Sequence, residues 1–281
     1  MPGTARSRSR APVFAGIALV GLGGLLAGAL GGAWLLLSRQ AATARRLIGT
    51  PLGEQAPAAD RVWKKSYGDP LDLLLLGDSI AAGLGAERRK DTLGGRLARG
   101  LARSLRRAVR LRTAAVVGAE SSALGAQIEA LPDDYAPDLA VIVVGGNDVT
   151  HRVPVATSVE HPQVAIARLR ERGAEVVVGT CPDLGALRPV PQPLRGLGSR
   201  MSRQLAAAQA VAAVRCGAHA VSLADVVGPF FITNPEEMFS LDRFHPSALG
   251  YKRTAKALLP SMLTALGERD EVPFGHRSPL S

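Results

Sequence analysis

The chain has 281 residues, 47% of them hydrophobic and only 4% aromatic, and carries a formal net charge of +10. That length holds one large domain or two small ones, with a core drawn mainly from Leu, Val and Ala. The basic excess is mostly arginine, and no nucleic-acid motif or interleaving of aromatic with basic residues accompanies it, so nucleic acid is set aside as a partner in favour of a membrane surface or no charged partner. Cys181 and Cys216 fit no metal-ligand spacing, and neither a metal nor a cofactor is expected.

Residues 1–10 form a basic tail with Arg6, Arg8 and Arg10. Residues 11–38, "APVFAGIALVGLGGLLAGALGGAWLLLS", contain no charged residue. About 20 apolar residues suffice to cross the hydrocarbon core. The stretch also exceeds the roughly 7–15-residue apolar region of a cleaved signal. It is therefore read as a single transmembrane anchor. Small residues at Ala41–Ala44 keep open a secreted form released by cleavage. Arginines flank the stretch almost equally, so the charge count does not orient it. Its likeness to a signal-anchor places the globular part outside the cytoplasm.

Residues 39–69 read as a linker, 70–268 as the globular domain and 269–281 as a tail. In the domain, short apolar strands alternate with helices. Strands are predicted at 71–76, 111–117, 139–144, 175–179 and 220–223. Helices are predicted at 92–109, 158–172, 199–216 and 247–266, the last with Pro246 in its first turn. This alternation implies a parallel sheet of about five strands covered by helices on both faces. Arg96, Arg99, Arg103, Arg106 and Arg110 recur at helical steps. They read as a solvated basic stripe, with anionic head groups as a second reading.

Sites in such sheets form beyond the carboxyl ends of the strands. Those ends carry "GDS" after Leu76, "GAESS" after Val117, "GGND" after Val144 and "TCPDLG" after Gly179, and "DRFHPS" follows late in the chain. A serine hydroxyl needs a base to become a nucleophile. His276 lies in what reads as a loose tail, and His151, His161 and His219 have no carboxylate at short spacing that would orient them towards the strand ends. His245 has Asp242 three residues before it. That spacing lets the carboxylate take the Nδ1 proton and leaves Nε2 for Ser79. The backbone N–H groups of Ser79 and Gly118, with the Asn147 carboxamide, are candidate oxyanion donors. Cys181 and Cys216 fall at opposite sheet edges, too far apart for a disulfide.

Four of the six phenylalanines, Phe230, Phe231, Phe239 and Phe244, crowd the segment before His245. They form either an apolar wall for an acyl group or a plug closing the core.

The blocks "GDSIAAG", the glycine of "VVGAESS", "GGND" and "DRFHPS" together resemble the SGNH hydrolases, the GDSL esterase/lipase superfamily, over residues 70 to 260. The first block reads GDSI where the family name has GDSL. The resemblance implies a three-layer α/β/α flavodoxin-like fold, no metal, and hydrolysis of esters or thioesters through Ser79, with the substrate a small ester, a lipid or an acylated glycan. An acyltransferase with the same residues and a non-catalytic envelope protein are the alternatives.

Overall fold

Leu73, Leu74, Leu75 and Leu76 are all fully buried, pointing alternately to the two faces of the central strand. Burying each side chain contributes about 1.5–3 kcal/mol, and helices on both faces are the only way to cover such a strand. The computed structural model describes the backbone of residues 12–49, 53 and 55–279, and side chains from Ala29 onward.

The strands are β1 (Arg61–Trp63), β2 (Leu71–Gly77), β3 (Val109–Thr113), β4 (Leu139–Val143), β5 (Glu175–Gly179), β6 (His219–Val221) and β7 (His276–Arg277). The helices are α1 (Pro12–Ile48), α2 (Ser79–Ala82), α3 (Leu93–Leu105), α4 (Leu124–Glu129), α5 (Gly146–His151), α6 (Val155–Glu171), α7 (Leu194–Arg215), α8 (Leu223–Val226), α9 (Gly228–Thr233), α10 (Pro235–Met238) and α11 (Ala248–Ala265). The sheet runs β1-β3-β2-β4-β5-β6-β7. Its five inner strands are parallel, as expected. The sheet has seven strands, however, because antiparallel edge strands are added at both sides: β1 on β3 and β7 on β6. These short pieces lie in the segments read as linker and tail, where three and two residues carry no visible period.

One face of the sheet is closed by α3 and α11 with Leu93, Leu97, Leu101, Tyr251, Leu258 and Met262. The other is closed by α4, α6 and α7 with Leu124, Ile128, Ile166, Leu169 and Ala213. Three expectations need correction. The proposed arginine stripe dissolves: Arg96 pairs with the buried Asp91, Arg106 caps α3 in a left-handed conformation over Tyr67, and Arg110 sits in β3 paired with Asp72. The last helix starts at Ala248 and is capped by Ser247, whose hydroxyl accepts from Leu249 N and Gly250 N, so Pro246 precedes the cap instead of sitting in the first turn. His276 is not loose: its Nδ1 meets Ser261 Oγ at 2.7 Å within the edge strand.

Most of the stretch 11–38 lies outside the residues whose side chains are described. Among the described residues, no helix is long and apolar enough to cross a membrane.

Candidate active site

β2 ends at Gly77, whose φ of +131° is the first constraint on the site. A Cβ there would lie 1.9 Å from Val143 O, so only glycine lets the strand end press against β4. Asp78 follows as the cap of the short helix α2, accepting from Ile80 N at 2.9 Å. Ser79 is thereby held at the carboxyl edge of the sheet, its side chain nearly buried.

The loop 239–247 brings the second half of the site. Asp242 Oδ1 accepts from Ser240 Oγ at 2.8 Å and from the backbone N–H groups of Phe244 and His245, each at 2.9 Å. Its Oδ2 accepts from His245 Nδ1 at 2.6 Å. With the Nδ1 proton on that bond, His245 Nε2 accepts from the Ser79 hydroxyl at 2.9 Å. Burial alone would raise the Asp242 carboxyl; the hydrogen bonds from His245, Phe244 and Ser240 outweigh it and hold the group at about 2. The carboxylate is therefore charged at any pH near neutrality. Asp78 goes the other way: burial pushes its carboxyl up to about 6. The loop can approach Ser79 this closely because Gly85 (φ +99°) has no Cβ to meet His245 Cβ and Pro246 O. Tyr251 on α11 then ties its hydroxyl to Leu84 O at 2.6 Å, fixing the nucleophile's loop from the other side.

Asn147 lies on the first turn of α5 and lines the same cavity as Ser79 and His245. One of its amide hydrogens is donated to Ala119 O at 2.9 Å, leaving the second available. Gly118, one residue before Ala119, has φ +81° and lines a neighbouring groove along the end of β3, not the Ser79 cavity. Among the described residues the N–H groups of Ser79 and Gly118 serve no other hydrogen bond. Asp148 accepts from the backbone and hydroxyl of Ser121, tying the loop after β3 to α5.

A cavity of about 70 Å³ opens beside Ser79, walled by Leu184, Leu187, Leu223, Val227, Phe231 and Phe239. Phe231 and Phe239 meet edge to face, and Phe244 meets the His245 ring the same way. Of the four phenylalanines singled out in the sequence, Phe230 is the exception. It does not line the cavity; it is partly exposed beneath the Arg253 guanidinium, 4.4 Å from ring centre to Cζ. Its neighbour Phe231 takes the inward side of α9 because successive helical residues diverge by about 100°.

Three supporting features carried no local signal in the sequence. Gln127 and Gln209 are buried and staple the backbone of strand ends, Gln127 on Gly77 and Gln209 between Val144 O and Cys181 N. His151 does have a carboxylate after all, Glu120 Oε1 at 2.7 Å, contributed by a loop 31 residues away. Cys181 and Cys216 are free, and burial raises the Cys181 thiol well above its ordinary range, which suits a packed side chain and not a nucleophile. No cluster of His, Cys, Asp or Glu able to hold a metal occurs among the described residues.

A parallel sheet with a hydrogen-bonded Ser–His–Asp relay at its carboxyl edge is the architecture of a serine hydrolase. Residues 75–253 match the GDSL-like lipase/acylhydrolase family, and the chain belongs to that family of SGNH hydrolases. It is a carboxylic ester hydrolase. The GDSL-like esterase Rv1075c of Mycobacterium tuberculosis is 38% identical over 259 residues, which cover 88% of this chain and 82% of the relative. A candidate SGNH hydrolase from Slackia heliotrinireducens superposes with a TM-score of 0.51 at 26% identity, covering 69% of this chain and 100% of that one. The structure of TesA shares the fold with a TM-score of 0.54 at 21% identity, over 69% of this chain and 99% of its own.

Proposed function

We propose that the chain is a membrane-anchored esterase that cleaves short acyl esters through an acyl-Ser79 intermediate. The observation that carries the reading is the unbroken relay from Asp242 through His245 to the Ser79 hydroxyl. His245 Nε2 takes the Ser79 proton as Oγ attacks the ester carbonyl, and Asp242 stabilises the resulting imidazolium. The negative charge that develops on the carbonyl oxygen is met by Ser79 N–H and the free amide hydrogen of Asn147, and Gly118 N–H joins them only if the ester oxygen reaches the neighbouring groove that Gly118 lines. Collapse breaks the acyl C–O bond, and the leaving alcohol departs with the proton from His245. Water, deprotonated by His245, then releases the acid and restores Ser79.

The acyl group occupies the cavity of Leu184, Leu187, Phe231 and Phe239. At about 70 Å³ this apolar cavity is narrow and suits a short chain. Residues 11–38 hold the chain in the membrane, a reading supported by their uncharged length, and the likeness to a signal-anchor puts the catalytic domain outside the cytoplasm. The test is labelling by a fluorophosphonate together with hydrolysis of p-nitrophenyl butanoate. Both are expected for the wild type and neither for Ser79→Ala. Unimpaired hydrolysis by a pure Ser79→Ala preparation overturns the assignment.

A further inference from the structure

Ser38 closes the uncharged stretch, yet α1 continues for ten residues and lies against the catalytic domain. Gln40 makes the junction: its Nε2 donates to Gln192 O at 2.6 Å and its Oε1 accepts from Leu194 N at 3.1 Å. Ala44, one turn further, is buried. Leu47 lines a cleft with Arg188, Pro189, Pro235, Phe239 and Arg243. Phe239 is also a wall of the Ser79 cavity, so the end of α1 meets the rim of the active site and not a remote face.

Leu30, Trp34, Leu35 and Leu36 are exposed around the helix. A helix apolar on all sides belongs in hydrocarbon. Gln40 lies two residues past Ser38, about 3 Å along the axis. The head-group layer is about 5–7 Å deep on each side of the hydrocarbon, so the Gln40 junction falls within it. The same rim carries Leu241, next to Asp242 in the chain and 78% exposed, and the exposed Ile232. Arg188 and Arg243 stand beside them, with Glu236 as the acidic residue of that cleft, and Arg45 and Arg46 close α1. Exposed apolar side chains interleaved with arginines suit an anionic lipid surface.

We infer that Gln40 latches the catalytic domain with the mouth of its cavity towards the phospholipid head groups, and that the substrate is a short acyl ester carried by a membrane-resident amphiphile. The acyl group enters from the bilayer surface, the acyl C–O bond breaks at Ser79, and the amphiphile's alcohol returns to the bilayer with its proton. This rests on the anchored Ser79 esterase proposed above.

The test uses the full chain reconstituted in phosphatidylglycerol–phosphatidylcholine vesicles. Two esters are compared: soluble p-nitrophenyl butanoate and a fluorogenic butanoyl ester tethered to a dioleoyl phospholipid. Because presentation at a surface acts through effective concentration, Gln40→Ala is expected to lower turnover of the tethered ester about tenfold relative to the soluble one. Gln40→Glu, which keeps the acceptor for Leu194 N and loses the donor to Gln192 O, falls between the two. Equal effects on both esters, or none on either, overturn the latch while leaving the esterase intact. Failure of the wild type to float with vesicles removes the anchor, and failure to cleave the soluble ester removes the esterase; either result removes this inference with it.

Discussion

Gln127 closes two hydrogen bonds on a single residue, accepting from Gly77 N at 2.9 Å and donating to Gly77 O at 2.8 Å. The partner is the glycine that ends β2, two residues before Ser79. A side chain from α4 thus supplies the partner that the Gly77 N–H lacks among backbone groups, while Val116 N also donates to Gly77 O at 3.1 Å, and the position of the nucleophile depends on this junction.

Gln127→Ala should leave Gly77 N buried without a partner, whereas Gly77 O keeps the Val116 N–H at 3.1 Å. A loss of about 1–3 kcal/mol of stability is expected, the cost of one unsatisfied buried group. The turnover number should fall at temperatures where the variant is still folded, with KM little changed, because Ser79 shifts while the cavity walls stay. Denaturant midpoints and steady-state kinetics on one preparation check both parts; unchanged stability would mean that water replaces the glutamine.

Ser79→Ala should lower turnover by on the order of 10⁴-fold or more while leaving the melting temperature near that of the wild type. The side chain makes one hydrogen bond, to His245, and alanine differs from serine only by that hydroxyl.

Asn147→Ala should lower kcat by roughly 10²–10³-fold with a smaller effect on KM, since its free amide hydrogen meets charge that exists only in the transition state. It should also cost about 1 kcal/mol of stability through the lost bond to Ala119 O. A variant with the stability loss alone would assign Asn147 to the turn and remove it from the oxyanion donors.

Asp78 gives a pH signature. Burial lifts its carboxyl from the ordinary 3.8 to about 6, against the N–H groups of Ile80 and Gly145 and the charge of His245, which favour ionisation. The unfolded chain therefore loses this proton first as pH rises. Between about pH 4 and pH 6 the folded state binds more protons than the unfolded, so stability falls through that window and is flat above it. The full effect is on the order of 3 kcal/mol. Asp78→Asn keeps the acceptor for Ile80 N and has no proton to lose, so the stability of the wild type relative to the variant should decline from pH 4 to 6. Parallel stability curves across that range would contradict the burial argument.

The acyl cavity predicts a chain-length preference. Among p-nitrophenyl esters, kcat/KM should be higher for short acyl chains of about four carbons than for chains of about ten, as the narrow cavity closed by Phe231 and Phe239 implies. Phe231→Ala should move the optimum to longer chains by opening the apolar wall. An unmoved optimum would place the acyl group elsewhere.

The chemistry of the site was legible in the chain because each part is local. An unbroken apolar strand that stops at Gly-Asp-Ser, a Gly-Gly-Asn-Asp after another, and Asp242 three residues before His245 need only the alternation of strand and helix to converge on one sheet edge. Four of the five parallel strands follow for the same reason: a strand buried on both faces writes its burial into every residue, whereas β3 alternates buried with exposed arginines and lies at 109–113, two residues before the expected start. Other features belong to the tertiary structure alone. β1 and β7 are three and two residues long and exist through pairing with β3 and β6. Gln127, Gln209 and the Glu120–His151 pair act across 28 to 65 residues of chain, and nothing beside them in sequence marks their partners. Phe230 and Phe231 are adjacent and chemically identical; only the orientation of α9 sends one into the cavity and the other beneath Arg253. Backbone period and residue type specify what a segment can do locally, whereas which buried polar group finds a partner, and which ring faces the substrate, is decided when distant elements pack together.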